Sequence, residues 1–400
     1  MRFPKFTELD KEQRAIYVGA PSSESILVMG PPGTGKTVLA FFRAAELQKR
    51  HKKEQTASTK PMVIMYNKAL KNYTSKRDEG VADGVECATM NQWAWRWYRR
   101  VLGKAPPPLP GAKSKFENDW DGMLGPLLER AVTAPDRVNW GHLIIDEGQD
   151  FPPGMYRTLS MLSGAINSPG GSPAVTVFAD DNQRLSDRSN STLDQIEAAL
   201  SLRKDRVYRL KKNYRNSRQI AEFARHYYVG LRSGIPDVPS RAGPSKPKIV
   251  IASSLEVVRR RIADFVSARR QLDVGVLCPR EWERKKIFNS LQHRLKDTGI
   301  HVQTYSSACQ EAHPAEDLVF DKGGSVTVLN FQSAKGLEFD AVFLIDPFVS
   351  GAGAVDVQSK MQLYVMASRA RNHLELLLMN PPNDLASFLP PEDLYEQSHE

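Results

Sequence analysis

Apolar and polar positions in this chain alternate in blocks rather than residue by residue. Short apolar runs of strand length lie near 26–29, 62–66, 143–146, 174–179, 206–210, 248–252, 273–277, 326–329 and 341–345. Longer stretches with apolar residues at helical spacing separate most of them. A continuous apolar run predicts a strand covered on both faces, because a strand with one wet face would alternate. Strands alternating with helices predict an α/β protein built on parallel sheets. The pattern divides into two such domains meeting near 200–205, that is, residues 1–202 and 203–400.

Two polar, Pro-rich segments punctuate the pattern. "GKAPPPLPGAKSK" (103–115) marks a short insertion of about residues 98–140 in the first domain, and "RSGIPDVPSRAGPSKPK" (232–248) reads as a linker with no room for a domain.

Composition narrows the class without naming an activity. The chain has 400 residues, 41% of them hydrophobic and 25% charged, which suits a globular protein with sizeable cores. No uncharged apolar run approaches the ~20 residues of a membrane span, and "MRFPKFTELDKEQRA" has no signal-peptide core. Three scattered cysteines form no metal or disulfide pattern, so a cytoplasmic, reducing setting without membrane partners is expected. The 55 Lys+Arg against 46 Asp+Glu give +9, which permits a nucleic-acid partner but does not require one.

Candidate chemistry begins at "SILVMGPPGTGKTVLAFF" (25–42), where a short apolar run, a Gly/Pro-rich turn and a helical pattern follow one another. This fits G-x-x-x-x-G-K-[ST] in its strand–loop–helix setting. Gly30, Pro31, Pro32, Gly33, Thr34 and Gly35 would form a loop whose backbone N–H groups face phosphate oxygens. Lys36 would reach the β/γ-phosphates of ATP, and the Thr37 hydroxyl would ligate Mg²⁺. Further on, "HLIIDEGQD" (142–150) ends an apolar strand in carboxylates, although the chain as a whole is basic. Asp146 would hold the Mg²⁺ and Glu147 would orient the attacking water. A Glu directly after the Asp favours hydrolysis over transfer to a metabolite.

"DEGQD" is more specific than Asp-Glu alone, and with it the chain resembles a superfamily 1 helicase of the UvrD/Rep type. Further segments resemble that family's motifs in the family's order. "LDKEQRAI" (9–16) is similar to the adenine-reading motif, with Gln13 on the base edge. "VIMYNKALKNY" (63–73) and "ATMNQWAWRW" (88–97) resemble DNA-contacting segments. "VFADDNQRL" (177–185) resembles the coupling segment, in which Gln183 senses the γ-phosphate. "LKKNYRNSRQI" (210–220) resembles the motif whose tyrosine stacks on adenine and whose arginine reaches the γ-phosphate, here Tyr214 and Arg215. "VTVLNFQSAKGLEFDAVFLI" (326–345) resembles the fifth motif, where Gly336 and Glu338 would contact the nucleotide, Glu338 at the ribose. "LYVMASRARNHLELL" (363–377) resembles the last, with Arg369 as a second γ-phosphate arginine.

The resemblance implies two RecA-like P-loop NTPase domains with the ATP site in the cleft between them. It also implies Mg²⁺ and ATP as cofactors, and ATP-driven 3′→5′ movement on single-stranded DNA or a tailed duplex. The alternative is a DNA-responsive regulatory ATPase subunit of a partner nuclease in phage defence or DNA repair.

Some positions depart from the family pattern. Ala179 replaces a usual Gly, Arg184-Leu185 stand where relatives carry a base-stacking aromatic, Gln332 replaces a His, and Ser368 a Thr. The large accessory domain of bigger relatives has no counterpart between "NYRNSR" and "VTVLN". Trp93 and Trp97, one helical turn apart with Arg96, Arg99 and Arg100 among them, are either core residues or a replacement platform for DNA bases.

Overall fold

A computed structural model describes residues 6–54, 60–65, 84–112, 117–166, 171–183, 190–306, 309, 311–320, 323–348 and 357–400, with the side chains of residues 6, 54 and 183 not described. The chain forms two compact units: Phe3–Pro31 with Gly35–Leu210, and Lys211–Glu400 with which Pro32–Thr34 is grouped. Both units are α/β, and every strand pairing in both sheets is parallel.

The first sheet comprises β1 (Ile26–Met29), β2 (Met62–Met65), β3 (Glu86–Thr89), β4 (His142–Ile145), β5 (Ala174–Ala179) and β6 (Val207–Arg209). Its spatial order is β3-β2-β4-β5-β1-β6. All residues of β1, β4 and β5 are buried, as their largely apolar sequence requires, and the two polar ones, His142 and Thr176, are hydrogen-bonded to each other. Because the strands are parallel, the residues that follow β4, β5 and β1 leave the same edge side by side. Those residues are Asp146, Asp180 and Gly30. Strand β6 pairs with β1, so the first unit extends to Leu210, past the boundary at 202/203 that the sequence suggested.

Helix α1 (Lys36–Glu54) follows the glycine loop, and α2 (Met90–Leu102) follows β3. Thr89 caps α2 in a reciprocal box with Gln92, and Gly103 ends it in the left-handed conformation. This helix turns both of its candidate DNA-stacking residues inward. Trp93 and Trp97 are 6% and 3% exposed and stack on each other at 5.0 Å. Trp120 continues the stack beyond Trp93, and Trp140 meets Trp97 edge-on. The Trp97 Nε1–H donates to Val138 O at 3.0 Å. Two large apolar side chains one turn apart are therefore core, the first of the two alternatives that their spacing allowed.

The Pro-rich insertion also folds back into this core. Leu109 N donates to Glu117 O and Asp119 N to Pro107 O, returning the chain to α3 (Trp120–Thr133), whose Trp120, Met123 and Leu127 are buried. Helix α4 (Pro153–Ala165) packs beside it through Thr158 Oγ1, which donates to Trp120 O at 3.0 Å.

The second sheet has seven strands: β7 (Lys248–Ile251), β8 (Asp273–Cys278), β9 (His301–Tyr305), β10 (Ser325–Asn330), β11 (Phe339–Ile345), β12 (Ala370–Leu378) and β13 (Glu396–His399). Their order is β13-β7-β12-β11-β8-β10-β9. Helices α5 (Arg218–Arg225), α6 (Leu255–Ala268), α7 (Glu281–Arg294) and α8 (Val357–Ala367) complete the unit. Val258, Ile262 and Val266 of α6 and Ile287 and Leu291 of α7 join the sheet's core. Among the described residues no helix is long and apolar enough to cross a membrane.

The tryptophan packing predicts the cost of truncation. Trp97→Ala is expected to destabilise the first unit by ~3–5 kcal/mol, the usual range for emptying a buried aromatic site. Trp95→Ala, on the 42%-exposed face of the same helix, is expected to change stability by less than about 1 kcal/mol. Urea unfolding of the two variants checks this, and equal losses would contradict the inward orientation.

Candidate nucleotide and hydrolytic site

In the first unit the glycine loop joins β1 to α1. Gly33 and Gly35 have φ of +87° and +83°, conformations that disfavour side chains. A Cβ on Gly35 would also come within 3.1 Å of Gln13 Nε2, so the Gln13 amide lies against the loop. Gln13 is buried in a reciprocal cap with Asp10: its N–H donates to Asp10 Oδ1 at 2.8 Å, and its Oε1 accepts from Asp10 N at 3.3 Å. The cap fixes the side chain with its –NH₂ end toward the loop.

Lys36 is buried, and its ammonium donates to Gly30 O at 2.6 Å and Pro31 O at 3.1 Å while standing 3.5 Å from Asp180 Oδ2. Asp180, fully buried at the end of β5, did not stand out in the sequence. The only clue was its place in "ADDNQ". A cation held by two carbonyls and one carboxylate can exchange those partners for phosphate oxygens, which offer stronger charge-assisted bonds.

Asp146 ends β4, and its carboxylate is completely buried. Burial and then the neighbouring Glu147 push its pKa upward, and the Thr37 hydroxyl and Lys36 ammonium only partly oppose them. Neither Asp146 oxygen makes a well-formed hydrogen bond. An incompletely compensated buried carboxylate beside a threonine hydroxyl fits a small divalent cation. Mg²⁺ commonly takes one or two protein carboxylates and fills its shell with water and phosphate oxygens. Among the described residues no group of three or more His, Cys, Asp or Glu gathers as a metal cluster.

Glu147 is held in a left-handed conformation, φ +55° and ψ +46°, that is costly for a non-glycine residue and concentrates at functional sites. Two neighbours hold it there. A Cβ on Gly148 would collide with Val177 and Tyr156, and Tyr156 Oη donates to Gly148 O at 2.6 Å. Gln149 then orients the carboxylate, its Nε2 donating to Glu147 Oε2 at 2.8 Å. Its Oε1 accepts from Asp180 N at 2.9 Å. Gln149 thus links the acid to the segment that begins at Asp180, a role its place among acids in "DEGQD" hinted at without defining. Gln183 lies in a 3-10 turn, Asp181–Gln183, at the end of this segment, and its side chain falls outside the described residues. So do Arg184-Leu185 and much of the DNA-contact segment 63–73.

The second unit gathers the other candidates. Tyr214 is 41% exposed and borders an open pocket of about 490 Å³ with Asn213, Asn216, Asp237 and Arg241. Arg215 Nε donates to Glu338 Oε2 at 2.7 Å, and Arg371 stands 3.4 Å from Glu338 Oε1. The proposed γ-phosphate arginine and the proposed ribose carboxylate are therefore ion-paired with each other. Burial alone would raise the Glu338 pKa, but Arg215 and Arg371 outweigh it and hold the carboxyl well below its usual range.

Asn213 and Asn216, which sequence reasoning did not single out, hold this turn. Asn216 Nδ2 donates to Ser368 O at 3.1 Å and to Ala370 O at 2.6 Å, and Asn213 Oδ1 accepts from Arg215 N at 3.0 Å. Arg369 is buried, with Nη1 3.4 Å from Leu337 O. Gly336, at φ +81°, lets the chain turn into Glu338 and β11. Ser368 keeps the hydroxyl of the residue it replaces and donates to Val365 O at 2.7 Å.

The Glu338 pairing carries a pH signature. A depressed folded-state pKa stabilises the protein above the unfolded value of about 4.3, and that contribution disappears as pH falls through the folded value. Wild type is expected to be more stable than Glu338→Gln at pH 7, with the gap closing progressively below about pH 4. Denaturant titrations across that range check it, and a gap constant with pH would contradict the ion pair.

Residues 325–377, spanning β10 to most of β12, match the UvrD-like helicase C-terminal domain. No curated protein matches the chain. Among solved structures, the C-terminal domain of a possible DNA helicase from Lactobacillus plantarum is 19% identical, covering 46% of this chain and 97% of that one with a TM-score of 0.33. The DUF1998 helicase MrfA bound to DNA is 12% identical, with 94% of this chain covered and a TM-score of 0.49. This chain spans about half the length of MrfA, 49%. The stretch that carries the fifth and last motifs is thus similar to the C-terminal domain of UvrD-like helicases.

Proposed function

We propose that the protein is an ATP-driven translocase on single-stranded DNA, moving 3′→5′. The observation that carries this reading is the buried Asp146-Glu147 pair, with Glu147 tied through Gln149 to Asp180 and Asp180 in turn beside Lys36. A kinase acting on a small metabolite would need no such link from the water-orienting acid to the next strand end. A motor does, because hydrolysis must be felt by the segments that grip the strand.

In this reading the loop N–H groups and Lys36 bind the phosphates, and the Gln13 amide reads the base edge. Asp146 and Thr37 hold Mg²⁺, which shields phosphate charge when bound. Glu147 orients the attacking water and accepts its proton. Tyr214 offers a face for adenine, Gly336 and Glu338 border the ribose, and Gln183, Arg215 and Arg369 respond to the γ-phosphate. Arg215 must then exchange Glu338 for phosphate during turnover, which would couple the nucleotide state to the turn held by Asn213 and Asn216. The +9 charge supports a nucleic-acid partner.

Lys36→Ala and Glu147→Gln are expected to lower Mg²⁺-dependent ATP hydrolysis by ~10²-fold or more, since each removes a group that acts mainly in the transition state. Glu147→Gln should still bind ATP. Arg215→Ala and Arg369→Ala should lower kcat far more than nucleotide affinity. Turnover assays on the purified variants check this, and an unchanged rate in Glu147→Gln would overturn the hydrolytic site.

Single-stranded DNA is expected to stimulate the wild-type rate several-fold, with binding weakened by salt at roughly 0.7 log units per phosphate contact per decade. ATPase activity indifferent to both DNA and RNA would favour a regulatory subunit acting on a protein partner instead.

A further inference from the structure

Trp282 lies in the first turn of α7 and is 47% exposed, an unusual placement for the largest apolar side chain. Two cations flank its ring: Lys286 Nζ stands 5.0 Å from the centroid and Arg280 Cζ 5.7 Å. No packing demand explains the exposure, because the buried face of α7 is formed by Ile287, Phe288 and Leu291.

The support beneath it is rigid. The Glu281 carboxylate accepts from Arg284 Nη2 at 2.6 Å, from Ser306 Oγ at 3.0 Å and from Asn330 Nδ2 at 3.4 Å. Arg284 is buried and also donates to Thr304 Oγ1. Those partners come from the C-terminal ends of β9 and β10, and α7 itself follows β8. Three strand ends therefore hold the turn that presents Trp282. They do so at the C-terminal edge of a parallel sheet, where ligands of such sheets bind.

We propose that Trp282, with Arg280 and Lys286, is a contact platform for single-stranded nucleic acid: the indole stacks on a base and the two cations meet the flanking phosphates. The inference rests on the translocase reading above and adds to it a site that none of the motif segments contains. An aromatic face between cations is the combination that holds single strands without reading sequence. It also supplies in the second unit a kind of side chain that the sequence lacks at Arg184-Leu185. An acidic protein surface would use the cations but has no need of a stacking face.

The test is fluorescence anisotropy of a labelled oligothymidylate with the full-length chain, comparing wild type, Trp282→Ala, Trp282→Phe and Lys286→Gln. Trp282→Ala should weaken binding by ~5- to 150-fold, the range for losing one stacked base. Trp282→Phe should recover most of it, while ATP hydrolysis without DNA stays at the wild-type rate in both. Lys286→Gln should reduce the salt dependence by roughly one contact, ~0.7 in log–log slope. Wild-type binding that Trp282→Ala leaves unchanged would overturn the platform alone. Absence of any wild-type nucleic-acid binding would overturn the translocase reading together with it.

Discussion

The rest of the site depends on one electrostatic constraint, a carboxylate buried at the end of β4 that the Lys36 ammonium and Thr37 hydroxyl compensate only in part. Asp146 is wholly enclosed, has Glu147 as its neighbour, and its carboxylate oxygens make no well-formed hydrogen bond. Burying an isolated charge costs several kcal/mol unless it is paired or protonated. Folding tolerates that cost because the strand carrying it is deep in a parallel sheet, whose burial holds the end in place. The left-handed backbone at Glu147 is a second strained feature at the same spot, fixed by the tight packing around Gly148. Stored strain and incompletely compensated charge at one strand end mark a place built for a ligand rather than for stability.

The second unit handles its charges in the opposite way. Glu338 lies between Arg215 and Arg371, Asn213 and Asn216 satisfy the turn around them, and Arg369 is buried beside the same segment. These groups compensate one another in the protein itself. An arginine already paired can be offered to phosphate only by releasing its carboxylate, so the network is a candidate switch between two pairings. That property suits a motor, in which binding and release of nucleotide must alter the protein around it.

The sequence revealed the fold where burial was continuous and concealed it where burial was partial. The fully buried strands β1, β4, β5 and β8 were legible because every residue is apolar or nearly so. Strands β3, β9 and β13 were not: "ECAT" and "HVQTY" are partly polar, and all four residues of "EQSH" are exposed, so pairing with β7 alone makes β13 a strand. Strand β12 was hidden because its start, "ARNH", reads as the end of a helical motif.

At the site, local motifs were readable because the loop and the acidic strand end are each contiguous in sequence. Gln149, Asp180, Asn216 and Arg371 were not, because their roles come from contacts between distant segments. Trp93 and Trp97 show the limit of a helical-face argument. Spacing places two side chains on one face, but only packing decides whether that face meets solvent or core.

The most direct test is the stability of Asp146→Asn against wild type, with and without Mg²⁺ and a non-hydrolysable ATP analogue. Without ligand, removing an incompletely compensated buried charge should leave the variant at least as stable as wild type. With ligand, wild type should gain stability by mass action, and the variant should gain much less because the carboxylate proposed to hold the cation is lost. A variant clearly less stable than wild type without ligand, yet stabilised equally by Mg²⁺ and nucleotide, would contradict the assignment of this strand end to the cation.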